Sequence, residues 1–318
     1  MKNILKLTVL LTFSITFFSL TTKESKKKPH IVFVMGDEEY RSEESMPMLG
    51  SILHRELGAK ISLCFPLDSA GNINPNINNN IVGLEALKTA DLMVVFTRWR
   101  ELPKQQAKFI TDYAESGKPI VGFRTATHTF KYNKDSSMFY LNDEWPAKVY
   151  GQQWITHHGH FGDNETPLTS VYLKGESTPI LNGVQPFEAY SWLYHVNGGK
   201  WRLNGDCKTF LEGKALKSNH LKELDQYPLT NPVAWTKSYA TKSGKSARVF
   251  FTTLGHPFDF KEVSMRKLAL NGIYWALGYE KKIPKTGVNA DFVGEYKPND
   301  SGFGSKFKKG MKPFTIGR

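Results

Sequence analysis

Cysteine is scarce in this sequence, which contains only Cys64 and Cys207 in 318 residues. At most one disulfide can therefore form, so the fold has to rest on its hydrophobic core. Hydrophobic residues make up 40% of the chain and aromatic residues 13%, which is enough for one large domain or two. Both cysteines lie near apolar runs, and one disulfide and two buried free thiols fit the sequence equally well.

The body of the sequence also lacks a dense cluster of Lys and Arg interleaved with aromatic residues. The formal net charge is +12, but much of this excess comes from lysines within residues 2–28 and from basic residues within 306–318. What remains between these ends is only mildly basic. A nucleic-acid partner is therefore not expected.

A long apolar run occurs only near the start, from Ile4 to Leu20, where it follows an early lysine and precedes a charged segment. This layout predicts a signal peptide over about residues 1–22, followed by a short linker to residue 28. We therefore expect export to the periplasm or the medium. No cysteine follows the run, which argues against a lipoprotein anchor, and an uncleaved segment would be the contact with a membrane.

Apolar runs alternate with segments of helical periodicity in the first half of the chain. Strands are predicted at HIVFVMG, AKISLCFP, DLMVVFT and KPIVGFRT, with helices between them. Because these strands are continuous apolar runs, we expect a parallel sheet that is covered on both faces. The predicted fold class is α/β, with a doubly wound, mainly parallel sheet and helices on both faces.

The alternation stops after Phe130. Residues 131–168 are rich in aromatic residues, Gly and His without a clear period, and they predict a lid or insertion. Later runs such as SVYLKG, KTFLEG and NPVAWTKSYA predict additional antiparallel or edge strands, and ARVFFTTLG is the best candidate for a return to the main sheet. A helix at KEVSMRKLALNGIYWALGYEKKI closes the domain at residue 283. Residues 284–318 form a basic tail rich in Gly and aromatic residues, which either wraps the surface or is partly disordered.

The fourth predicted strand is not followed by a serine or cysteine, although many α/β enzymes present a nucleophile there. The stretch KPIVGFRTATHTF carries Arg124 instead. Arginine stays protonated and cannot attack, but it can polarise a carbonyl or hydroxyl oxygen. We take Arg124 and His128 as candidate catalytic residues. Thr125 is a candidate substrate-binding residue, since as a nucleophile it would need an adjacent base.

Ligands of open parallel sheets bind at the carboxyl ends of the strands. After the first strand, GDEEYRSEES offers Glu39 as a candidate catalytic carboxylate, with candidate ligands of sugar hydroxyls at Asp37, Tyr40 and Arg41. After the third strand, Arg98 and Trp99 are candidates for stacking on a sugar ring. A tryptophan that caps the sheet and an arginine that faces water are the simpler explanation of these two residues.

His256 follows ARVFFTTLG, with Asp259 close in sequence as a candidate partner. A histidine at the carboxyl end of a strand suits general acid or base catalysis near neutral pH, and a histidine held by backbone hydrogen bonds is the alternative. The stretch WITHHGHFGD adds His157 and His158 as candidate substrate-binding residues of a lid. With His160 and a distant histidine they could ligate a divalent metal, but neighbours on an extended segment point opposite ways, and no cofactor is expected.

Taken together, these stretches resemble the ThuA-like family, named for trehalose utilisation, and in particular its exported branch. The resemblance spans residues 29–283 and rests on GDEEYRSEESMPML, KPIVGFRTATHTF, HHGHFGD, NPVAWT and FFTTLGHPFDF. It implies a fold similar to class I glutamine amidotransferases, in which a cysteine follows the PIVG strand and a His-Pro pair holds its base. This chain keeps His256 and Pro257 but has Arg124 near the position of the cysteine, so glutamine hydrolysis is not expected.

The family is associated with oxidoreductases that convert disaccharides to 3-keto sugars. The resemblance therefore implies a carbohydrate ligand and a functional link to a sugar oxidoreductase. With Arg124 and His256 in the site, we predict proton transfer next to a sugar carbonyl, leading to isomerisation or eliminative cleavage. Two alternatives stay open. One is a glycoside hydrolase that pairs Asp37 or Glu39 with a second acid, and the other is a noncatalytic carbohydrate-binding protein that relies on Trp99, Trp154 and Tyr40.

Overall fold

The computed structural model describes residues 28–159, 168–196, 202–216 and 228–317. The strands are β1 (His30–Gly36), β2 (Lys60–Cys64), β3 (Leu92–Thr97), β4 (Ile120–Phe123), β5 (Thr169–Leu173), β6 (Phe187–Ala189), β7 (Lys208–Ala215), β8 (Thr230–Ala240) and β9 (Ser246–Thr252). The α-helices are α1 (Ser42–Leu57), α2 (Lys104–Glu115), α3 (Glu144–Tyr150) and α4 (Val263–Ala276). In these ranges no helix combines the length and the apolar character needed to cross a membrane. The predicted signal peptide lies outside the described residues.

The described strands form one sheet in the order β2-β1-β3-β4-β9-β8-β7-β5-β6. The pairings from β2 to β9 are parallel, and those from β9 to β6 are antiparallel. The predicted α/β class is confirmed, as are the antiparallel strands of the second half and the return of β9 beside β4. The sheet is not mainly parallel, however, because the later strands extend the same sheet instead of lying apart from it.

The parallel strands are buried on both faces, which explains their continuous apolar runs. All residues of β1 are buried. Ile31 and Phe33 join one hydrophobic cluster with residues of α1 and α4, whereas Val32 and Val34 join another with residues of α2 and α3. Helices therefore lie against both faces of the parallel half, while the finer prediction of a doubly wound topology stays a prediction.

The segment predicted as a lid is partly built into the body of the protein. In its described part, residues 131–159 and 168, it contains α3, and Trp145, Val149 and Tyr150 of this helix belong to the second hydrophobic cluster. The tail after residue 284 wraps the surface. The N–H of Ile73 donates to the carbonyl of Met311 at 2.7 Å, which attaches the tail to the loop after β2.

Cys64 and Cys207 are free thiols. Cys64 ends β2 and Cys207 precedes β7, so six strand spacings, on the order of 30 Å, separate them. A disulfide needs Cα atoms within about 7 Å. Of the two alternatives that the sequence left open, the structure therefore selects the free thiols.

Candidate functional site

Four adjacent parallel strands bring most of the predicted residues to one edge of the sheet. The register aligns the last residues of β1 and β3, and likewise those of β4 and β9. The segments that begin at Asp37, Arg98, Arg124 and Thr253 therefore leave the sheet side by side. This is the carboxyl edge, where ligands of parallel sheets bind.

Backbone strain is concentrated at the same edge. Within the described ranges, the non-glycine residues with positive φ are Arg41, Trp99 and Arg124, at 54°, 48° and 40°. Each such residue costs roughly 1–3 kcal/mol, so surrounding contacts must hold it in place. Trp99 and Arg124 both lie within two residues after a strand, where a sharp turn aims the side chain across the edge.

Arg124 joins three segments of the chain. Its side chain is fully buried, and Nη1 donates to the carbonyl oxygens of Trp192 at 3.2 Å and Thr253 at 2.9 Å. Nη2 donates to the hydroxyl of Tyr40 at 2.9 Å, and the ring of Tyr194 lies 4.5 Å from the guanidinium carbon. Most N–H groups of Arg124 thus donate inside the protein, so mainly its positive charge remains available to a ligand. Its Nε is buried and has no hydrogen-bond partner among the described residues.

Asp37 organises the loop after β1. One carboxylate oxygen accepts from the backbone N–H groups of Glu39 and Tyr40, both at 2.7 Å, and the other accepts from the hydroxyl of Thr125. Asp37 and Thr125 are both fully buried. The structure therefore gives these two predicted ligands of substrate an internal role, because the Thr125 hydroxyl and the Asp37 carboxylate bind each other.

A network of charges fills the space between the ends of β1 and β3. Glu38 bridges Arg98 and Arg100, and Arg98 Nε lies 3.0 Å from an oxygen of Glu39. Arg98 also lies over the ring of Trp99, with 3.6 Å between the guanidinium carbon and the ring centre. Glu38 and Arg100 are not among the site residues predicted from the sequence. Neither residue stands out by hydrophobic periodicity, although both are next to predicted site residues in the sequence.

Glu39 has the electrostatic properties of an acid–base group. Its side chain is almost completely buried, and burial raises the pKa of its carboxyl group from 4.5 to about 7. The guanidinium groups of Arg98 and Arg124 oppose this rise in pKa, and the carboxylate of Asp37 adds to it. Near neutral pH, Glu39 can therefore both accept and release a proton.

Aromatic rings surround this charged centre. His128 lies 5.2 Å from Trp154 and 5.7 Å from Trp99, between ring centres, while His157 stacks on Trp192 at 4.6 Å. Trp99, Trp154 and His157 are half-buried, so they form an accessible rim. Burial lowers the pKa of His157 to about 4 and that of His128 well below 6.5, and nearby arginines add to both effects. Both imidazoles are therefore neutral at physiological pH.

The structure brings His157 to the site but not His158. The ring of His158 lies 4.2 Å from that of His195, and its Nε2 is 3.0 Å from the carbonyl oxygen of Pro228. Adjacent residues of an extended segment point to opposite sides, which explains this separation. His160 lies outside the described residues. Among those described, no three His, Cys, Asp or Glu side chains converge as a metal site would require.

His256 is also at the edge, but both of its ring nitrogens are engaged. Nδ1 accepts from the N–H of Phe258 at 3.1 Å, and Nε2 lies 2.9 Å from the hydroxyl of Ser301 in the tail. Asp259 does not pair with the ring. Its carboxylate accepts from the backbone N–H of His256 at 3.0 Å and from the hydroxyl of Ser191 at 2.5 Å. Local hydrogen bonds, together with the tail, thus hold His256.

Arg41 does not reach the aromatic rim. Its Nη2 donates to the carbonyl oxygens of Glu38 and of Gly302, the latter at 2.6 Å, and its Nη1 lies 3.8 Å from Glu43. This predicted ligand of substrate therefore ties α1 to the tail. A separate cleft of about 1230 Å³ lies between α2, α3 and β8. None of the predicted site residues lines it, so we place the site at the sheet edge.

Comparison with known proteins agrees with this fold. A crystal structure of a ThuA-like protein from Bacteroides uniformis has a TM-score of 0.51 at 17% identity, covering 82% of this chain and 96% of that one. A second, from Parabacteroides merdae, has a TM-score of 0.47 at 14% identity, covering 91% and 100%. No curated protein matches the chain. The ThuA family model, described as trehalose utilisation, matches residues 71–276. The chain therefore belongs to the ThuA family, which has a carbohydrate-related role.

Proposed function

We propose that the protein binds a keto sugar at the carboxyl edge of the sheet and transfers a proton next to its carbonyl group. The observation that carries this proposal is the placement of Glu39, which is buried beside Arg98, the arginine that also contacts Trp99 of the half-buried aromatic rim. Such a site combines a base that works near neutral pH with positive charge. Those are the two requirements for forming and stabilising an enolate.

In the proposed reaction Glu39 accepts the proton from the carbon next to the ketone. The electron pair of that C–H bond forms the carbon–carbon double bond of an enolate, whose negative oxygen is stabilised by the charges of Arg98 and Arg124. The hydroxyl group on the deprotonated carbon then passes its proton to the enolate oxygen, and Glu39 returns its proton to the former carbonyl carbon, which completes an isomerisation. Expulsion of a glycosidic oxygen at the adjacent position, which takes up a proton, completes an eliminative cleavage instead.

The geometry favours Glu39 over His256 as the base. His256 is 1% exposed, and both of its ring nitrogens already have partners. Glu39 has one oxygen on Arg98 and faces the positive charges that would stabilise the product. The neutral imidazoles of His128 and His157 are suited to hydrogen bonds with sugar hydroxyls, since each can donate at one nitrogen and accept at the other.

The aromatic rim is the proposed binding surface for the sugar ring. Trp99 and Trp154 meet edge to face, with 6.2 Å between ring centres. The face of an aromatic ring next to charged groups matches a sugar, which has apolar C–H faces and polar edges. The hydrolase alternative finds less support, because Asp37 and Glu38 already use their oxygens in internal hydrogen bonds and ion pairs.

The supply of a ketone requires oxidation of a sugar hydroxyl before this step. We therefore propose a functional link to a sugar oxidoreductase, without a resident cofactor in this chain. Residues 1–22 have the layout of a secretory signal, and export remains part of the proposal. Processing would then take place outside the cytoplasm.

The test is deuterium transfer from heavy water into 3-keto trehalose and other 3-keto glucosides, followed by NMR. We expect protein-dependent deuterium at the carbon next to the ketone, and Glu39→Gln should slow this by at least about a hundredfold. Glu43→Gln is a matched control. Glu43 is also a buried acid, with a pKa raised to about 7 by burial, but it lies on α1 and should retain the rate.

Failure of the wild-type protein to transfer deuterium to any keto sugar would remove this proposal. Calorimetric binding of unoxidised glycosides that survives Glu39→Gln would then favour the noncatalytic alternative. Equal losses in Glu39→Gln and Glu43→Gln would show that the loss comes from general disturbance of this region.

A further inference from the structure

Residues 300–303 of the C-terminal tail, here named the strap, lie on the carboxyl edge of the sheet. The N–H of Gly302 donates to the carbonyl of Glu39 at 2.8 Å, and the carbonyl of Gly302 accepts from Arg41 at 2.6 Å. Ser301 contacts His256 at 2.9 Å and is itself 3% exposed. The strap is thus attached to two segments that build the proposed site.

Phe303 of the strap lies against Arg98. Its ring centre is 4.9 Å from the guanidinium carbon of Arg98, and Trp99 contacts the same guanidinium group at 3.6 Å. Two aromatic rings therefore restrict the plane of the arginine whose Nε binds Glu39 at 3.0 Å. A flexible side chain that is restricted in this way keeps its hydrogen bonds in one geometry.

The exposure of Phe303 indicates that core packing does not explain its position. Phe303 is 42% exposed, so much of its ring is left in water. Phe314, also in the tail and 43% exposed, lies instead near Phe65, 5.8 Å away between ring centres. The two phenylalanines match in exposure and differ in whether they touch the site.

We propose, on the basis of the proposed function, that the strap completes the site and that Phe303 is a positioning residue, which holds Arg98 in the orientation that binds Glu39. Loss of the Phe303 ring leaves Arg98 with Trp99 and the carboxylates, but lets water reach its Nε. The enolate would then form beside a less ordered charge. This lowers the rate of the chemical step more than it weakens sugar binding.

The experiment compares Phe303→Ala with Phe303→Tyr, which keeps the ring, and with the matched control Phe314→Ala. Without substrate, NMR measures how fast the Nε proton of Arg98 exchanges with water. With keto sugar, deuterium transfer measures kcat and KM. For Phe303→Ala we expect proton exchange at least tenfold faster and kcat about tenfold lower, with KM changed by less than about twofold. Phe303→Tyr and Phe314→Ala should resemble the wild type.

Unchanged exchange of the Arg98 proton in Phe303→Ala would overturn the inference. A higher KM at constant kcat would show that Phe303 contacts the sugar directly, and equal losses in Phe314→Ala would show a general loosening of the tail; either result overturns the positioning role. If the wild type transfers no deuterium, the proposed function fails. The exchange of the Arg98 proton then still decides whether Phe303 orders this side chain.

Discussion

Arg124 and Tyr40 are joined by a hydrogen bond of 2.9 Å between Nη2 and the phenolic oxygen, and the guanidinium carbon lies 4.2 Å from the centre of the same ring. The two residues come from loops that follow different strands, β4 and β1. Their contact therefore connects the loop after β1 with the loop after β4 in the proposed site. Many α/β enzymes present a nucleophile at this position after a strand. Here Arg124 is a buried positive charge instead, and its hydrogen bonds hold segments of the carboxyl edge together.

Replacement of Arg124 tests this structural role. We expect Arg124→Ala to lower the free energy of unfolding by about 3 kcal/mol, because buried carbonyl oxygens and the hydroxyl of Tyr40 lose a charged donor. Denaturation in urea measures the change. Arg202→Ala, at an exposed arginine, should stay within about 0.5 kcal/mol of the wild type. A loss below about 1 kcal/mol for Arg124→Ala would contradict this structural role of Arg124.

Replacement of His256 tests whether this residue is the catalytic base or a residue that anchors the tail. His256→Ala removes the contact with Ser301, so trypsin should cleave at the tail lysines Lys306, Lys308 and Lys309 several times faster. Deuterium transfer should fall only about tenfold, as expected for a disturbed strap. A loss as large as that of Glu39→Gln, with unchanged cleavage of the tail, would make His256 the proton carrier.

The pH dependence of the reaction follows from the pKa of Glu39. As a base Glu39 must be ionised, and burial raises its pKa to about 7, so the rate should rise with pH up to about 7 and then level off. The raised pKa of Glu39 also makes the free energy of unfolding depend on pH, but this free energy falls as pH rises, whereas the rate increases. The folded protein keeps this proton up to about pH 7 while the unfolded chain releases it near 4.5, so the contribution of Glu39 to stability is lost as pH rises through this range. A rate independent of pH between about 5 and 9 would contradict Glu39 as the base.

If the aromatic rim binds the sugar, removal of one of its rings should lower the affinity for keto sugars and leave the fold intact. Trp154→Ala should raise KM for keto sugars about tenfold, since a half-buried ring leaves the proposed binding surface. Steady-state deuterium transfer and calorimetry with unoxidised glycosides both measure this. Trp275 on α4 is also half-buried and contacts Arg248 at 4.0 Å, away from the site. An equal effect of Trp275→Ala would argue against stacking on Trp154.

Several local features of the fold could be predicted because they depend on short-range patterns. Continuous apolar runs identified the four strands of the first half, and the run that ends at Thr252 identified β9 as the return to the main sheet. The apolar stretch SWLYHV has the composition of a strand, but the structure shows an isolated bridge between Tyr194 and His157 there. An apolar run that covers a site and one that crosses a sheet have the same composition, so periodicity did not distinguish them.

The sequence by itself determined the α/β class and the family, and it led to the carboxyl edge as the place of the proposed site, because each of these depends on patterns within short stretches of the chain. Only the tertiary structure decided which polar groups remain for a ligand. Asp37 is occupied by Thr125, 88 positions away, and His256 by Ser301, 45 positions away. Glu39 acquires its raised pKa from burial by distant segments. Hydrogen bonding and desolvation depend on what surrounds an atom in space, and that environment is set by the packing of residues far apart in the chain.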